Sequence, residues 1–289
     1  MLTALFKTMR PRQWTKNVFI FAALVFDKQL FNLDSFLRTL AGFVLFCLIS
    51  SSVYIFNDLA DVEADRQHPD KKNRPIAAGK LPVGAAWTAG IIIVLITFAL
   101  AWLLAPGFEY VVVCYFLLNM AYTKWLKHIA ILDVLIIAAG FVLRVHAGVT
   151  LIAVERFSPW LYVVMTLLSL FLGFGKRRAE MALLAHGAGS HRKVFDGYTL
   201  PLLDQYIMIV SGTTIVAYSL YTFNAPNVPD NHSMMLTIPF VVYAIFRYLY
   251  LIEVKHAGGT PEEILLSDRP FQISMFLWAF AVLAIFYFS

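Results

Sequence analysis

Long apolar runs separated by short polar segments make up most of this 289-residue chain. A helix that crosses a bilayer needs roughly 17–25 mostly apolar residues, and each run has this length or falls slightly short of it. The first, fourth and sixth runs are short or carry polar residues. The pattern predicts a single all-α transmembrane domain over residues 1–289, with nine spans at 17–32, 36–57, 83–105, 108–123, 130–152, 159–175, 203–223, 233–253 and 271–288.

Charge distribution sets the predicted orientation of these spans. The chain is 60% hydrophobic and only 14% charged, whereas soluble proteins carry about 25% charged residues. Eighteen of the 23 lysines and arginines fall on the side of the N-terminus and three on the opposite side. Positively charged loops stay in the cytoplasm, so the N-terminus is predicted to be cytoplasmic. The net charge of +5 suits anionic lipids and phosphorylated substrates. Nucleic acid is a poor partner, because this charge is divided among short loops.

Three aspartates follow the second run, at Asp58, Asp61 and Asp65. The spacing i, i+3, i+7 places them on one face if the segment is a continuous helix. Three neighbouring carboxylates repel one another unless a cation lies among them, and Mg²⁺ prefers such oxygen ligands and often shares them with substrate phosphates. The segment therefore predicts a magnesium site for a diphosphate substrate; the alternative is a solvated acidic helix end.

A basic segment comes next and contains Lys72, Arg74, Pro75 and Gly79. Proline breaks regular helix and glycine permits a turn. Lys72 and Arg74 are candidates to bind phosphate oxygens opposite the metal. The alternative for the lysines is an ordinary positively charged cytoplasmic loop.

The motif Asn57-Asp58-x-x-Asp61-x-x-x-Asp65, continued by Arg74-Pro75, resembles the first aspartate-rich motif of the UbiA superfamily of intramembrane prenyltransferases. The resemblance covers essentially the whole chain. It implies a helical bundle around a central cavity open to the cytoplasm, dependence on Mg²⁺, and a lipid-like substrate. Asn57 joins the candidate substrate ligands on this basis.

The chain departs from that family after the sixth run, where most members carry a second aspartate-rich motif. Here the sequence has Lys176, Arg177 and Arg178 instead. One acidic and one basic cluster suit two phosphate-bearing substrates, one held through a metal and the other by cationic side chains. The alternative is a positively charged membrane anchor.

The basic cluster and the N-terminal motif Arg10-Pro11-x-Gln13-Trp14-x-Lys16-Asn17 are similar to one branch, the decaprenyl-phosphate phosphoribosyltransferases of arabinan-building bacteria. This resemblance implies that phosphoribosyl diphosphate is the donor and a polyprenyl phosphate the acceptor. It further implies a bacterial plasma membrane location, an active site on the cytoplasmic face and a role in cell-wall arabinan precursor synthesis.

Six other polar residues are candidate substrate ligands: Gln13, Lys16, Tyr122, Lys127, Asp133 and Arg144. Tyr122 and Lys127 are equally compatible with interfacial anchoring. Asp133 has two interpretations, a bond to the donor's ribose and an ion pair with Lys127, and the ion pair is favoured. Arg144 lies within a span and must therefore face a carboxylate or a substrate phosphate inside the protein.

Two other functions compete with phosphoribosyl transfer. An ordinary UbiA prenyltransferase moves an isoprenyl diphosphate onto an aromatic acceptor, but it calls for the second acidic cluster that this sequence lacks. A lipid-phosphate transporter is expected to show inverted repeats and more charges at membrane depth. Lipid chain length stays open, as does the oligomeric state, with a homo-oligomer among the options.

Overall fold

The computed structural model describes residues 1–69, 71–154, 158–185, 193–255 and 267–288, and every regular element within these ranges is helical. The all-α prediction is therefore confirmed. Eleven α-helices are present in the described residues, α1 to α11: Leu2–Thr8, Ala22–Phe26, Leu33–Ala60, Val62–Gln67, Val83–Leu104, Pro106–Lys124, Leu132–Val149, Pro159–Ala185, Leu200–Asn224, Ile238–Glu253 and Arg269–Phe288.

Seven segments of the described chain are long and apolar enough to cross a membrane. They comprise α3, α5, α7, α8, α9, α11 and the stretch Ser233–Glu253, so the predicted count of nine is not confirmed. The predicted first span begins instead as a 3₁₀ helix, Pro11–Phe21, followed by the short α2. The predicted fourth span forms α6, which is not among the seven.

The described chain divides into two compact units. The first comprises Met1–Val25, Gln29–Leu126 and Leu143–Val154. In this unit α3 packs against α5, α6 and the 3₁₀ helix. Their apolar side chains pack together inside the unit, and van der Waals contacts of this kind help to drive the association of helices within a bilayer. The buried residues include Ile20, Phe46, Ile49, Phe108 and Val112.

The second unit comprises Phe26–Lys28, Lys127–Val142 and Glu155–Ser289. Here α8 packs along α9, and α10 packs against α9 and α11. Two glycines of α8 allow close approach to side chains of α7 and α10. A Cβ at Gly173 would lie 2.6 Å from Val134, and one at Gly175 would lie 2.8 Å from the Tyr248 hydroxyl. These glycines, which flank the basic cluster, thus serve contacts between helices.

Candidate active site

The acidic segment is not one continuous helix, as the spacing argument assumed, but two helices that meet at Asp61. Helix α3 ends at Ala60, Asp61 occupies the junction with φ −97° and ψ 9°, and α4 begins at Val62. Hydrogen bonds of the helical type still cross this junction, from Asp61 N–H to Asn57 O at 3.0 Å and from Asp65 N–H to Asp61 O at 2.8 Å. Asp58 and Asp65 are buried, at 2% exposure each, whereas Asp61 is half-buried.

Two arginines neutralise the buried aspartates. Arg74 Nη1 donates to Asp65 Oδ2 at 2.6 Å and lies 3.2 Å from Asp58 Oδ1. Arg10 Nη2 donates to the same Asp58 oxygen. A buried carboxylate is costly unless it is paired and hydrogen-bonded, and these contacts meet that need. Asp58 and Asp65, seven residues apart along the chain, therefore converge on a single guanidinium nitrogen.

The loop after α4 fixes the position of Arg74. Ile76 and Leu81 are fully buried against Ile55 and Leu59 of α3. Gly79 adopts φ 71°, a left-handed conformation that glycine reaches without strain. These anchors hold the backbone next to Arg74 against α3, so the guanidinium is directed at the aspartates by the fold of the loop.

Arg10 is a site residue to which the sequence assigned no role. It caps the 3₁₀ helix with a left-handed backbone, φ 52°, which is uncommon outside glycine. Its guanidinium lies 4.8 Å from the centroid of the Tyr54 ring, one turn before Asp58. Arg10 belongs to the N-terminal motif, but nothing in the sequence indicates that this motif reaches the acidic segment.

The 3₁₀ winding also organises Gln13 and Lys16. Residues three apart are eclipsed in a 3₁₀ helix, so Gln13 and Lys16 lie on the same side of this helix. Both are half-buried. The neighbouring face, formed by Trp14, Asn17 and Ile20, turns towards the interior: Trp14 donates to Ser51 at 3.0 Å and Asn17 to Ser50 at 3.2 Å.

The remaining candidates near the acidic segment have varied surroundings. Asn57 Oδ1 accepts a long hydrogen bond of 3.4 Å from Thr123 at the end of α6. Lys72 is exposed on the short 3₁₀ turn Lys71–Asn73, and Tyr122 is half-buried on α6. These positions leave Lys72 reachable from solvent, whereas the Asn57 side chain is oriented by its neighbour.

Arg144 lies inside the first unit and is only 6% exposed. Its Nε donates to Asn17 at 2.8 Å and its Nη2 to the Tyr115 hydroxyl at 2.9 Å. The guanidinium also lies 4.9 Å from the Tyr115 ring centroid and 5.6 Å from that of Phe46. Hydrogen bonds and aromatic faces both stabilise a buried cation, so these contacts orient Arg144 without a substrate.

In the second unit Asp133 is fully buried and paired, but its partners differ from the prediction. Arg177 Nε donates to Asp133 Oδ2 at 2.6 Å, and the Tyr198 hydroxyl donates to Oδ1 at 2.7 Å. The favoured partner was Lys127, which is half-buried on the turn Leu126–His128. Periodicity could not reveal this pair, because the partners are separated by 44 positions along the chain.

Tyr198 completes this buried network. Its hydroxyl accepts a hydrogen bond from the backbone N–H of Ile131 at 2.6 Å while donating to Asp133. Ile131 has φ 71°, an outlier for a β-branched residue, and the bond to Tyr198 helps hold it there. Burial, and secondly the bond to the Asp133 carboxylate, raises the pKa of the Tyr198 hydroxyl well above its ordinary value.

The basic cluster lies on α8, which continues past the predicted span end at 175 to Ala185. Its members differ in surroundings. Arg177 is buried and also pairs with Glu180 at 2.7 Å, whereas Arg178 pairs with Asp204 at 2.6 Å and Glu253 at 2.7 Å. These last two carboxylates are about half exposed, at 44% and 47%. Lys176 is half-buried.

The acidic segment has the donor chemistry for a hard divalent cation. Within the described ranges no three His, Cys, Asp or Glu side chains are grouped closely enough to hold a metal. Two carboxylate oxygens nevertheless meet around one positive charge, the Arg74 nitrogen. Buried carboxylates that converge on a cation are the ligands that Mg²⁺ prefers. Asp58 and Asp65 therefore fit such an ion, with Asp61 at the adjoining junction.

Comparisons with known proteins place this geometry in context. The model of the UbiA prenyltransferase family matches residues 17–260. The chain is 35% identical to the decaprenyl-phosphate phosphoribosyltransferase of Mycolicibacterium smegmatis, over 100% of this chain and 94% of the relative. It is 33% identical to the protein of the same name from Corynebacterium glutamicum, over 97% and 86%.

A solved structure shares the fold. A UbiA homolog from Archaeoglobus fulgidus bound to DMAPP and Mg²⁺ superposes with a TM-score of 0.74 at 17% identity, covering 99% of both chains. At this level of identity the likeness concerns the arrangement of the helices.

Proposed function

Because the chain belongs to the UbiA prenyltransferase family, we propose that it is a membrane-embedded transferase that moves a 5-phosphoribosyl group from phosphoribosyl diphosphate to a polyprenyl phosphate such as decaprenyl phosphate. One observation carries the proposal. Relatives at 33–35% identity, aligned over nearly their whole length, bear the name of this activity. In the alternative, prenyl transfer to an aromatic acceptor, Lys176 and Arg178 would have no second phosphate-bearing substrate to bind.

The donor's diphosphate is assigned to the first unit. Asp58, Asp61 and Asp65 would hold Mg²⁺, which would neutralise charge on the departing diphosphate. Arg74, 26% exposed at its side chain, and the solvent-exposed Lys72 can reach phosphate oxygens. Guanidinium groups bind phosphate through paired, charge-assisted hydrogen bonds. Arg10 keeps Asp58 oriented and is assigned a positioning role.

The second unit is assigned a further phosphate, the donor's 5-phosphate or that of the lipid. Arg178 suits this role, because its two ion pairs are with partly exposed carboxylates. Surface pairs contribute only about 0–1 kcal/mol, so a substrate phosphate can replace these carboxylates at little cost. Lys176 is the second candidate. Arg177 is held by the buried Asp133, so its part is to fix the end of α8. Asp133 correspondingly has a structural role in this proposal.

The transfer itself needs little beyond positioning. An oxygen of the polyprenyl phosphate attacks C1 of the ribose, the C1–O bond to the diphosphate breaks, and inorganic diphosphate leaves with the bonding electrons. The attacking phosphate is already an anion near pH 7, so no general base has to remove a proton. Catalysis would come from orientation and from stabilisation of the leaving group by the surrounding cations.

The location follows from the same chemistry. A multi-pass bundle with its basic loops inside would place the N-terminus and both phosphate clusters on the cytoplasmic face of a bacterial plasma membrane. Phosphoribosyl diphosphate is a soluble cytosolic sugar, so this face gives it access. The lipid product would serve as a precursor for cell-wall arabinan.

The proposal is tested with membranes from cells that produce the protein, incubated with ribose-labelled phosphoribosyl diphosphate, decaprenyl phosphate and Mg²⁺. Label should enter the organic-solvent extract, and membranes carrying Asp58→Asn should give little labelled lipid. The conservative surface change Glu63→Gln, at a side chain 76% exposed, is the matched control and should retain activity. Lack of labelled lipid with the unmodified protein would overturn the assignment.

A further inference from the structure

One positive charge holds two buried carboxylates together in the first unit. Asp58 and Asp65 are 2% and 3% exposed at their side chains, and both oxygens lie within 3.2 Å of Arg74 Nη1. Arg10, by contrast, pairs with Asp58 Oδ1. Two carboxylates this deeply buried repel each other strongly unless a cation lies between them. The point at which the two carboxylates meet is therefore a favourable position for a cation.

A guanidinium and a divalent cation are alternative occupants of this position. Both are attracted to the same oxygens, and the two cations would repel each other at such short range. Mg²⁺ requires its ligand oxygens at about 2.0–2.1 Å, which leaves no room for a guanidinium nitrogen between them. The metal and the Arg74 guanidinium are thus mutually exclusive at the point between Asp58 and Asp65.

We infer that Arg74 occupies the cation position of the Asp58–Asp65 pair and must be displaced from it when a divalent metal binds. This inference rests on the proposed function only in naming where Arg74 goes afterwards, to the donor's diphosphate. The move requires only side-chain rotation, since Ile76 and Leu81 anchor the loop backbone. A metal ion that binds without diphosphate therefore has to compete with Arg74 for the two carboxylates. When diphosphate binds as well, the displaced Arg74 can pair with the diphosphate instead.

The first test measures Mn²⁺ binding to the purified full-length protein in detergent by electron paramagnetic resonance, without any donor. Arg74→Gln removes the competitor and should bind Mn²⁺ about tenfold more tightly than the unmodified protein, within the ~5–150-fold range usual for coupled sites. Arg66→Gln removes an equal charge from the exposed pair with Glu63 and is the matched control. Unchanged or weaker binding by Arg74→Gln, relative to this control, would overturn the inference.

Inorganic diphosphate provides the second arm of the titration. It should tighten Mn²⁺ binding in the unmodified protein, and this gain should shrink in Arg74→Gln, because the displaced arginine is missing. Linkage requires that Mn²⁺ tighten diphosphate binding by the same factor as diphosphate tightens Mn²⁺ binding. The gain in diphosphate affinity on adding Mn²⁺ should therefore also be smaller in Arg74→Gln than in the unmodified protein. An equal gain in both proteins would show that Arg74 does not exchange between the two anions.

A measurement on the unmodified protein covers the case in which Arg74→Gln does not fold. Phenylglyoxal modifies accessible guanidinium groups, and peptide mass spectrometry gives the rate at Arg74 with Arg66 as internal standard. Saturating Mn²⁺ should raise the rate at Arg74 relative to Arg66, and added diphosphate should lower it again. A rate insensitive to Mn²⁺ would refute the exchange while leaving phosphoribosyl transfer, which is assayed by labelled lipid, untouched.

Discussion

Replacing Asp133 with asparagine tests whether this residue is part of the structural framework or a substrate ligand. The change keeps the shape of the side chain and one acceptor oxygen but removes its charge. Arg177, 5% exposed, then loses a partner that is fully buried and 2.6 Å away. Removing one member of a buried ion pair typically costs about 3–5 kcal/mol, because the other charge stays buried.

The matched control is Asp204→Asn. It removes the same type of contact, an aspartate oxygen 2.6 Å from the Nε of the next arginine, Arg178, but this aspartate is 44% exposed. Exposed pairs contribute about 0–1 kcal/mol. At roughly 2–4 °C per kcal/mol for a protein of this size, Asp133→Asn should lower the unfolding temperature by at least about 6 °C, and Asp204→Asn by a few degrees at most.

The assay is thermal unfolding of both variants in the same detergent at one heating rate, because irreversible unfolding makes the midpoint depend on the rate. Transfer kinetics at a temperature where both variants are folded complete the comparison. If Asp133→Asn unfolds together with Asp204→Asn, and its KM for the donor rises about tenfold or more, the ribose contact is correct and the structural interpretation is wrong.

Three further predictions concern the site and the pH response. Asp58→Asn should lower kcat by about 10²-fold or more, since it removes charge stabilisation at the leaving group; wild-type turnover would contradict the metal assignment. Lys176→Ala should raise KM for a phosphorylated substrate about 10-fold or more, the loss of a charge-assisted bond of about 1.5–3 kcal/mol, and an unchanged KM would make Lys176 a topological anchor. Because the pKa of Tyr198 is raised in the fold, its contribution to stability is complete below its ordinary pKa of about 10 and declines as pH rises further. The difference in unfolding temperature between the unmodified protein and Tyr198→Phe should therefore stay constant below about pH 10 and shrink above it; a difference that grows at alkaline pH would contradict this.

Hydrophobic patterning predicted the long helices well, because a span is a local property of about twenty consecutive residues. Leu33–Ala60 and Leu200–Asn224 extend the predicted runs by only a few residues at either end. The first run was misjudged. Its residues 17–21 belong to the 3₁₀ helix Pro11–Phe21. This helix is held by contacts that a local pattern does not show, from Trp14 and Asn17 to serines of α3 more than 30 positions away.

The candidate site was predicted by residue type more successfully than by geometry. Asp58, Asp65 and Arg74 do meet, with Asp61 at a junction between two helices rather than inside one helix. Arg10 joins them from 48 positions away, and Asp133 meets Arg177 from 44. Such pairs depend on how the helices pack, which one chain's sequence does not reveal. Local motifs therefore indicated the chemistry, and packing decided the partners.

The most direct test of the central claim is a competition with purified protein. The reaction contains Mg²⁺, equal concentrations of phosphoribosyl diphosphate and an isoprenyl diphosphate, and both decaprenyl phosphate and an aromatic acid as acceptors. Mass spectrometry of the lipid products should identify decaprenyl phosphate carrying a 5-phosphoribosyl group, with release of inorganic diphosphate. A prenylated aromatic acid as the product, with decaprenyl phosphate unchanged, would contradict the account.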